Sequence, residues 1–173
     1  MKKYSFVVWT LLLSVSILPA GCSMSGGGGG PIIYTYTSAD VPLVVPDLDQ
    51  TVSALIVNGA PPYISGMTVT LVLHHTSVSD LDIILESPEG YSIYLTYGSS
   101  SGEDFWYTTF DDYSPFDIED TDIGDDPRTG SYRPYNPLAF FDGEDPNGIW
   151  YLIIDDLVSE DFGYLVDWSI DIW

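Results

Sequence analysis

The sequence predicts an all-β protein, a sandwich of about eight short strands, and two patterns carry that prediction. Apolar and polar residues alternate in short runs, and no stretch sustains the 3.6-residue period of an amphipathic helix. Between the runs stand clusters of Gly, Pro, Asp and Asn, the residues that turns select.

In chain order, strands are expected over 41–45, 53–57, 67–74, 81–85, 92–97, 105–110, 150–154 and 164–173. The run at 67–74 places Met67, Val69, Leu71 and Leu73 on one face and Thr68, Thr70 and His74 on the other, with Val72 out of pattern. Ser87-Pro88-Glu89-Gly90 has Pro and Gly where a β-turn wants them. The last run alternates strictly: Trp168, Ile170 and Ile172 share one face, Asp167, Ser169 and Asp171 the other, so one side is buried and one is wet. Trp150 and Trp168 sit on alternating strands and read as core anchors.

The N-terminus has the layout of an export signal. Lys2 and Lys3 precede an uncharged run at 6–18, too short to span a bilayer, followed by Pro19-Ala20-Gly21-Cys22. Cys22 is the single cysteine of the 173 residues, so no intrachain disulfide can form. Its place after Ala20 and Gly21 resembles a bacterial lipobox, with Pro19 where an aliphatic residue is usual. Residues 1–21 are therefore expected to be a signal peptide, with Cys22 as a lipidation site. The run at 22–30 reads as a Gly/Ser tether and 31–173 as one domain. The expected location is the cell envelope of a bacterium, as an outer-membrane lipoprotein or a secreted protein.

Charge narrows the partners. Lys and Arg number 4 against 26 Asp and Glu, and beyond the signal only Arg128 and Arg133 are basic. Such a surface repels nucleic acid and anionic lipid, so the membrane is expected to be met only through the N-terminal lipid anchor. The domain is expected to be a monomer with a protein or glycan partner. Hydrophobic content of 45% argues against disorder in spite of the charge.

Several motifs then fall in a known order. His75-Thr76 precedes Ser79-Asp80-Leu81, then Ile83, Leu85, Ser87-Pro88, Gly90 and Leu95. Further on come Gly130-x-Tyr132-Arg133-Pro134, Leu138, Phe140, Gly143 and Asn147-Gly148-x-Trp150-x-Leu152. Asp155, Asp161-x-Gly163-x-Leu165 and Trp168-Ser169-Ile170 complete the series. Over about 45–173 this resembles the P (Homo B) domain that follows the catalytic domain of proprotein convertases and many subtilisin-like bacterial proteases. Ser79 stands where the family usually has Gly, and Tyr91 where it has Thr. The resemblance implies a jelly-roll-like β-sandwich that supports the folding, stability and calcium or pH response of a protease.

Catalytic segments are not evident. Gly98-Ser99-Ser100-Ser101-Gly102 matches Gly-x-Ser-x-Gly, but no helix pattern follows the serine as a nucleophile elbow requires, so it reads as a loop. His74 and His75 are adjacent on a strand and point to opposite faces, which suits structural roles better than a triad. The expectation is a non-catalytic module. The alternatives are a component of a convertase-like endopeptidase system and a glycan-binding module.

The stretch 103–126 carries ten acidic residues. Asp120-x-Asp122-x-Gly124-Asp125 has the flavour of a calcium loop but not the EF-hand spacing. Calcium is the candidate cofactor, with Asp111, Asp112, Asp120, Asp122, Asp125 and Asp80 as candidate ligands; the competing reading is a solvated acidic loop. Tyr97, Tyr107 and Tyr113 fall in or beside loops and are candidate binding residues for a sugar or protein.

Overall fold

A computed structural model describes residues 30–98, 102–120 and 127–173. It contains ten strands in two facing sheets. In chain order they are β1 (Tyr34–Thr37), β2 (Leu43–Val45), β3 (Gln50–Val57), β4 (Met67–His75), β5 (Leu81–Glu86), β6 (Ser92–Tyr97), β7 (Phe105–Phe110), β8 (Arg128–Tyr132), β9 (Gly148–Asp156) and β10 (Gly163–Ile172). All eight expected strands are present, so the all-β sandwich holds. The two additions, β1 and β8, lie at sheet margins: β1 beside β10, and β8 at the end of the order. They are short and weakly apolar, so their own sequence announces them poorly.

The large sheet runs β1-β10-β4-β7-β8, with β2 also paired to β10; the small sheet runs β3-β9-β5-β6. All pairings are antiparallel except β7 with β8. Alternation delivers the core between the sheets. From the large sheet come Val69, Leu71, Leu73, Trp168, Ile170 and Ile172, and from the small sheet Leu55, Ile83, Leu85, Trp150, Leu152 and Ile154, all buried. Val72, the residue out of pattern, is also buried, at a point where the β4–β10 and β4–β7 registers both shift. The shifts turn the chain locally, so strict alternation cannot continue through them.

Two buried polar contacts bolt the sheets together. Trp168 on β10 donates its indole N–H to the Ser53 hydroxyl on β3 at 2.7 Å, and Ser53 donates to Asp40 at 2.6 Å. At the other end, His75 on β4 lies with Nε2 3.3 Å from the Asp156 carboxylate on β9 and Nδ1 2.7 Å from the Ser77 carbonyl. Both side chains of the His75–Asp156 pair are fully enclosed. The His74/His75 expectation is met: His75 points in, and His74 points out with nearly half of its side chain exposed.

Two glycines of the family-like motifs owe their place to close approach. A Cβ on Gly163 would stand 2.1 Å from the His74 carbonyl oxygen, and one on Gly148 would stand 2.6 Å from Pro88 Cβ. Gly148 also holds a φ of +145°, which side-chain-bearing residues rarely adopt. The first contact fits β10 against β4; the second fits the turn after β5 against the start of β9.

Removing one partner of an enclosed polar pair leaves the other without compensation. Asp156→Ala is therefore expected to destabilise the fold by about 3 kcal/mol in urea unfolding. A loss below about 1 kcal/mol, the scale of an exposed pair, would show that this contact does not hold the sheets.

Candidate functional site

The strand registers fix which side chains face away from the core, and the two sheets differ sharply in what they present. On the large sheet, one cross-strand row reads Thr37–Ser169–Thr70–Thr109–Ser131 and the next Thr35–Asp171–Thr68. Thr70 and Thr109 hydroxyls lie 2.8 Å apart, and Thr35 bonds to Asp171. This is the polar outer face an antiparallel sandwich normally shows to water.

The small sheet reverses that pattern. Its outward rows are Val52–Ile153–Ile84–Tyr94, then Ala54–Tyr151–Glu86–Ser92, then Ile56–Ile149. Val52, Ile56 and Ile149 are exposed, Ile56 at 71%, while Ile84, Tyr151 and Ile153 are half-buried by their neighbours on the face. Since no element of the described chain covers this band, it stands as an apolar patch on the solvent side of a sheet. Contiguous patches of this kind mark interaction sites.

One end of the face is acidic. The row beyond Val52–Ile153–Ile84–Tyr94 reads Gln50–Asp155–Asp82–Tyr97. Asp82 and Asp155 are direct cross-strand partners, an arrangement that like charges make unfavourable. Gln50 donates to Asp155 at 2.8 Å, whereas no hydrogen bond reaches the Asp82 carboxylate among the described residues, although Asp82 is only 8% exposed. Burial, with Asp155 adding to it, pushes the Asp82 carboxyl above its ordinary range.

Tyr97 closes the row and extends it into an aromatic corner. Its ring lies 5.5 Å from Tyr135 and 5.0 Å from Tyr94, centroid to centroid. Tyr135 and Asn136 run beside β6, donating backbone N–H groups to Leu95 and Tyr94, so this sheet edge is closed rather than open for strand addition. Glu119 accepts the Tyr97 N–H at 3.3 Å, and with Asp117, Asp120 and Tyr135 it lines a hollow of about 530 Å³. Burial pushes the Glu119 carboxyl upward.

Of the tyrosines expected to bind, Tyr97 thus sits on the face, while Tyr107 on β7 and Tyr113 after it are exposed elsewhere. Three of the carboxylates expected as calcium ligands, Asp80, Asp111 and Asp112, accept hydrogen bonds within the fold. Asp112 accepts the N–H groups of Leu138 and Ala139, both at 2.8 Å, which caps the 3-10 turn Leu138–Phe141. Asp111 accepts the N–H of Tyr113 and Asp80 takes the Ser79 hydroxyl, while at Asp120 it is the backbone carbonyl, not the carboxylate, that Arg128 meets. Among the described residues, no three His, Cys, Asp or Glu side chains gather as a metal-holding group. Asp122, Asp125 and Cys22 lie outside the described residues, as do Ser99, Ser100 and Ser101.

The other titratable cluster surrounds the histidines. His74 Nδ1 lies 3.0 Å from Asp104 Oδ2, and Asp104 Oδ1 accepts the His75 N–H at 2.7 Å. The shallow hollow beside them is lined by Thr76, Glu103, Phe162, Gly163 and Tyr164, and the Thr76 hydroxyl is already given to Asp161. The arrangement joins β4 to the start of β7, and no serine or cysteine is among the residues of that lining.

Sequence reasoning did not single out Asp82, Asp104 or Asp156. For Asp156 the signal was the doublet Asp155-Asp156 at the end of β9, where alternation after Trp150, Leu152 and Ile154 selects the second residue for the interior.

Fold and face together define a two-layer β-sandwich module with one wet sheet and one apolar sheet. The chain belongs to the proprotein convertase P-domain family, whose sequence model matches residues 64–172. Among solved structures it is similar to the serine protease of Aeromonas sobria, at 20% identity and a TM-score of 0.50, over 82% of this chain and 27% of that one. It is likewise similar to the same protease in complex with its chaperone, at 20% identity and a TM-score of 0.51, with the same shares of each chain covered. At this identity the likeness shows the fold, and the chain spans about a quarter of the protease's length. No curated protein matches the chain.

The raised Asp82 carboxyl has a signed consequence. Between its unfolded and folded pKa values the native state binds more protons, so stability falls as pH rises through that window, and the penalty is fully present at neutral pH. Asp82→Asn is expected to raise Tm by a few degrees at neutral pH. The gain disappears below the ordinary Asp value of 3.8, where both states are protonated. An equal gain at all pH values would contradict the assignment.

Proposed function

We propose that this chain is a non-catalytic P-domain module of the bacterial cell envelope that docks a protein partner through the outer face of its small sheet. The observation that carries the reading is the apolar row Val52–Ile153–Ile84–Tyr94, continued through Ala54 and Tyr151 to Ile56 and Ile149, on a face that a free-standing sandwich would keep polar. Family membership supports it, because P domains accompany proteases. The similar Aeromonas protease has been solved with a chaperone, which makes an exported protease or its helper a suitable class of partner. A lipid on Cys22, followed by the Gly/Ser run at 22–30, is the membrane attachment that this reading assigns to the module.

A double variant, Ile84→Thr with Ile153→Thr, tests the docking face, because threonine keeps β propensity while removing apolar surface. Capture of one discrete envelope protein by the wild-type chain, lost about tenfold or more in the variant at unchanged Tm, is the expected result. Equal capture by both proteins, or binding on a glycan array in place of protein, would overturn it. Hydrolysis of casein by the purified chain, abolished by His74→Ala, would overturn the non-catalytic part.

Calcium dependence belongs to the segment around Asp120, Asp122 and Asp125, since Asp111 and Asp112 already serve backbone N–H groups. A calcium-dependent rise in Tm against chelator, on the order of 2.7 kcal/mol of added stability at a hundredfold excess over Kd, is the outcome this dependence requires. An unmoved Tm returns those carboxylates to solvated surface.

A further inference from the structure

We infer that Asp82, Asp155 and Tyr97 form a seat for a guanidinium group, the side chain of an arginine carried by the docked protein. The inference rests on the docking reading and names the chemistry of the partner at one end of the face.

Asp82 is the anchor of the argument. The residue is 8% exposed, its carboxylate makes no hydrogen bond among the described residues, and it stands directly across from Asp155 on the neighbouring strand. A carboxylate placed this way is unfavourable in the free protein unless a cation meets it. Among the described residues no cation pairs with it. Arg133 is paired with Asp117 at 3.0 Å, and Arg128 is fully enclosed, with its guanidinium on the Asp120 carbonyl and 5.7 Å from the centre of the Tyr132 ring. Asp82 and Asp155 face outward with the apolar band, so the missing cation must come from whatever covers that band.

The flanking groups select the kind of cation. Tyr97 is the cross-strand neighbour of Asp82 on the side away from Asp155, and half of it is exposed. A planar, weakly hydrated guanidinium can lie against that ring while its N–H groups fork to the carboxylates. Glu119, held to Tyr97 through the Tyr97 N–H, adds a further carboxylate beside the seat, offset in part by Arg128; its Oε2 is buried and without a hydrogen-bond partner. Calcium is poorly served, since it asks for six to eight oxygens and, among the described residues, no three acidic side chains stand close enough together to hold a metal. A second copy of the chain is equally poorly suited, because both arginines of its domain are committed. The occupant is thus a heterologous protein with an apolar surface and an arginine at its margin.

The test needs no knowledge of that protein. The full chain, labelled with ¹⁵N, is titrated with N-acetyl-arginine amide, with N-acetyl-citrulline amide as a neutral isostere, and in parallel with N-acetyl-lysine amide and calcium chloride. The arginine compound should shift the amides of Asp82, Asp155 and Tyr97 saturably, the citrulline compound should not, and lysine should bind more weakly than arginine. Asp82→Asn, which keeps the side-chain shape, should weaken the arginine response by about tenfold or more, the loss of one charge-assisted contact. Tyr97→Leu should weaken it by a smaller factor. Several outcomes overturn the seat: no shift with arginine, an equal shift with citrulline, equal binding of lysine, preferential binding of calcium, or an unchanged response in Asp82→Asn. The docking face fails separately, through the Ile84/Ile153 variant, so a silent arginine titration with lost capture in that variant removes the seat and leaves the face.

Discussion

The enclosed contact between His75 and Asp156 is the constraint on which the outer face depends. Asp156 is the last residue of β9 and pairs with Leu81, the first of β5, so its position sets the register of the two central strands of the small sheet. A one-residue slip in a strand sends every side chain to the opposite face. On β9 such a slip would exchange Trp150, Leu152 and Ile154 for Ile149, Tyr151 and Ile153, two sets of comparable hydrophobicity. Burial of apolar area alone discriminates poorly between them. His75 requires a carboxylate at this inward position, and Trp150, buried with its indole N–H donating to the Pro146 carbonyl at 2.9 Å, fixes which member of the Asp155-Asp156 doublet supplies it. Gly163 reinforces the choice by letting β10 close onto the His74 carbonyl.

That ambiguity of β9 is also why the fold was legible in the sequence and the site was not. On β4 and β10 the pattern is one-sided: threonines and aspartates alternate with core residues, so inner and outer faces follow directly. The family motifs, too, mark positions that build the sandwich, among them His75, Gly148, Trp150, Gly163 and Trp168. The run Ile149–Ile154 is apolar at every position, and Ile83-Ile84-Leu85 is nearly so. In a sheet covered on both sides that pattern is ordinary. In a sandwich of two layers it means that one side lacks a cover, and the sequence alone does not say that a third layer is missing. Only Tyr97, singled out for its place beside a loop, anticipated the face.

The acidic stretch teaches a related lesson. Ten carboxylates over 103–126 are open to two readings, a calcium loop and a solvated acidic loop, and among them Asp104, Asp111 and Asp112 each accept backbone N–H groups. Those bonds replace the turn and cap hydrogen bonds that an apolar residue could not make. Composition cannot separate a carboxylate that organises a loop from one that awaits a ligand; hydrogen-bond accounting can. By that accounting Asp82, which sits on a strand away from the acidic run, is the more exceptional group.

The most direct test of the docking face is site-specific photo-crosslinking in cells. A photoreactive phenylalanine analogue placed at Tyr151, in the middle of the apolar band, is compared with the same residue at Thr70, in the hydroxyl ladder of the opposite sheet. The account predicts a discrete crosslinked protein from position 151 and none from position 70. Crosslinks of equal yield from both faces, or from position 70 alone, would contradict it.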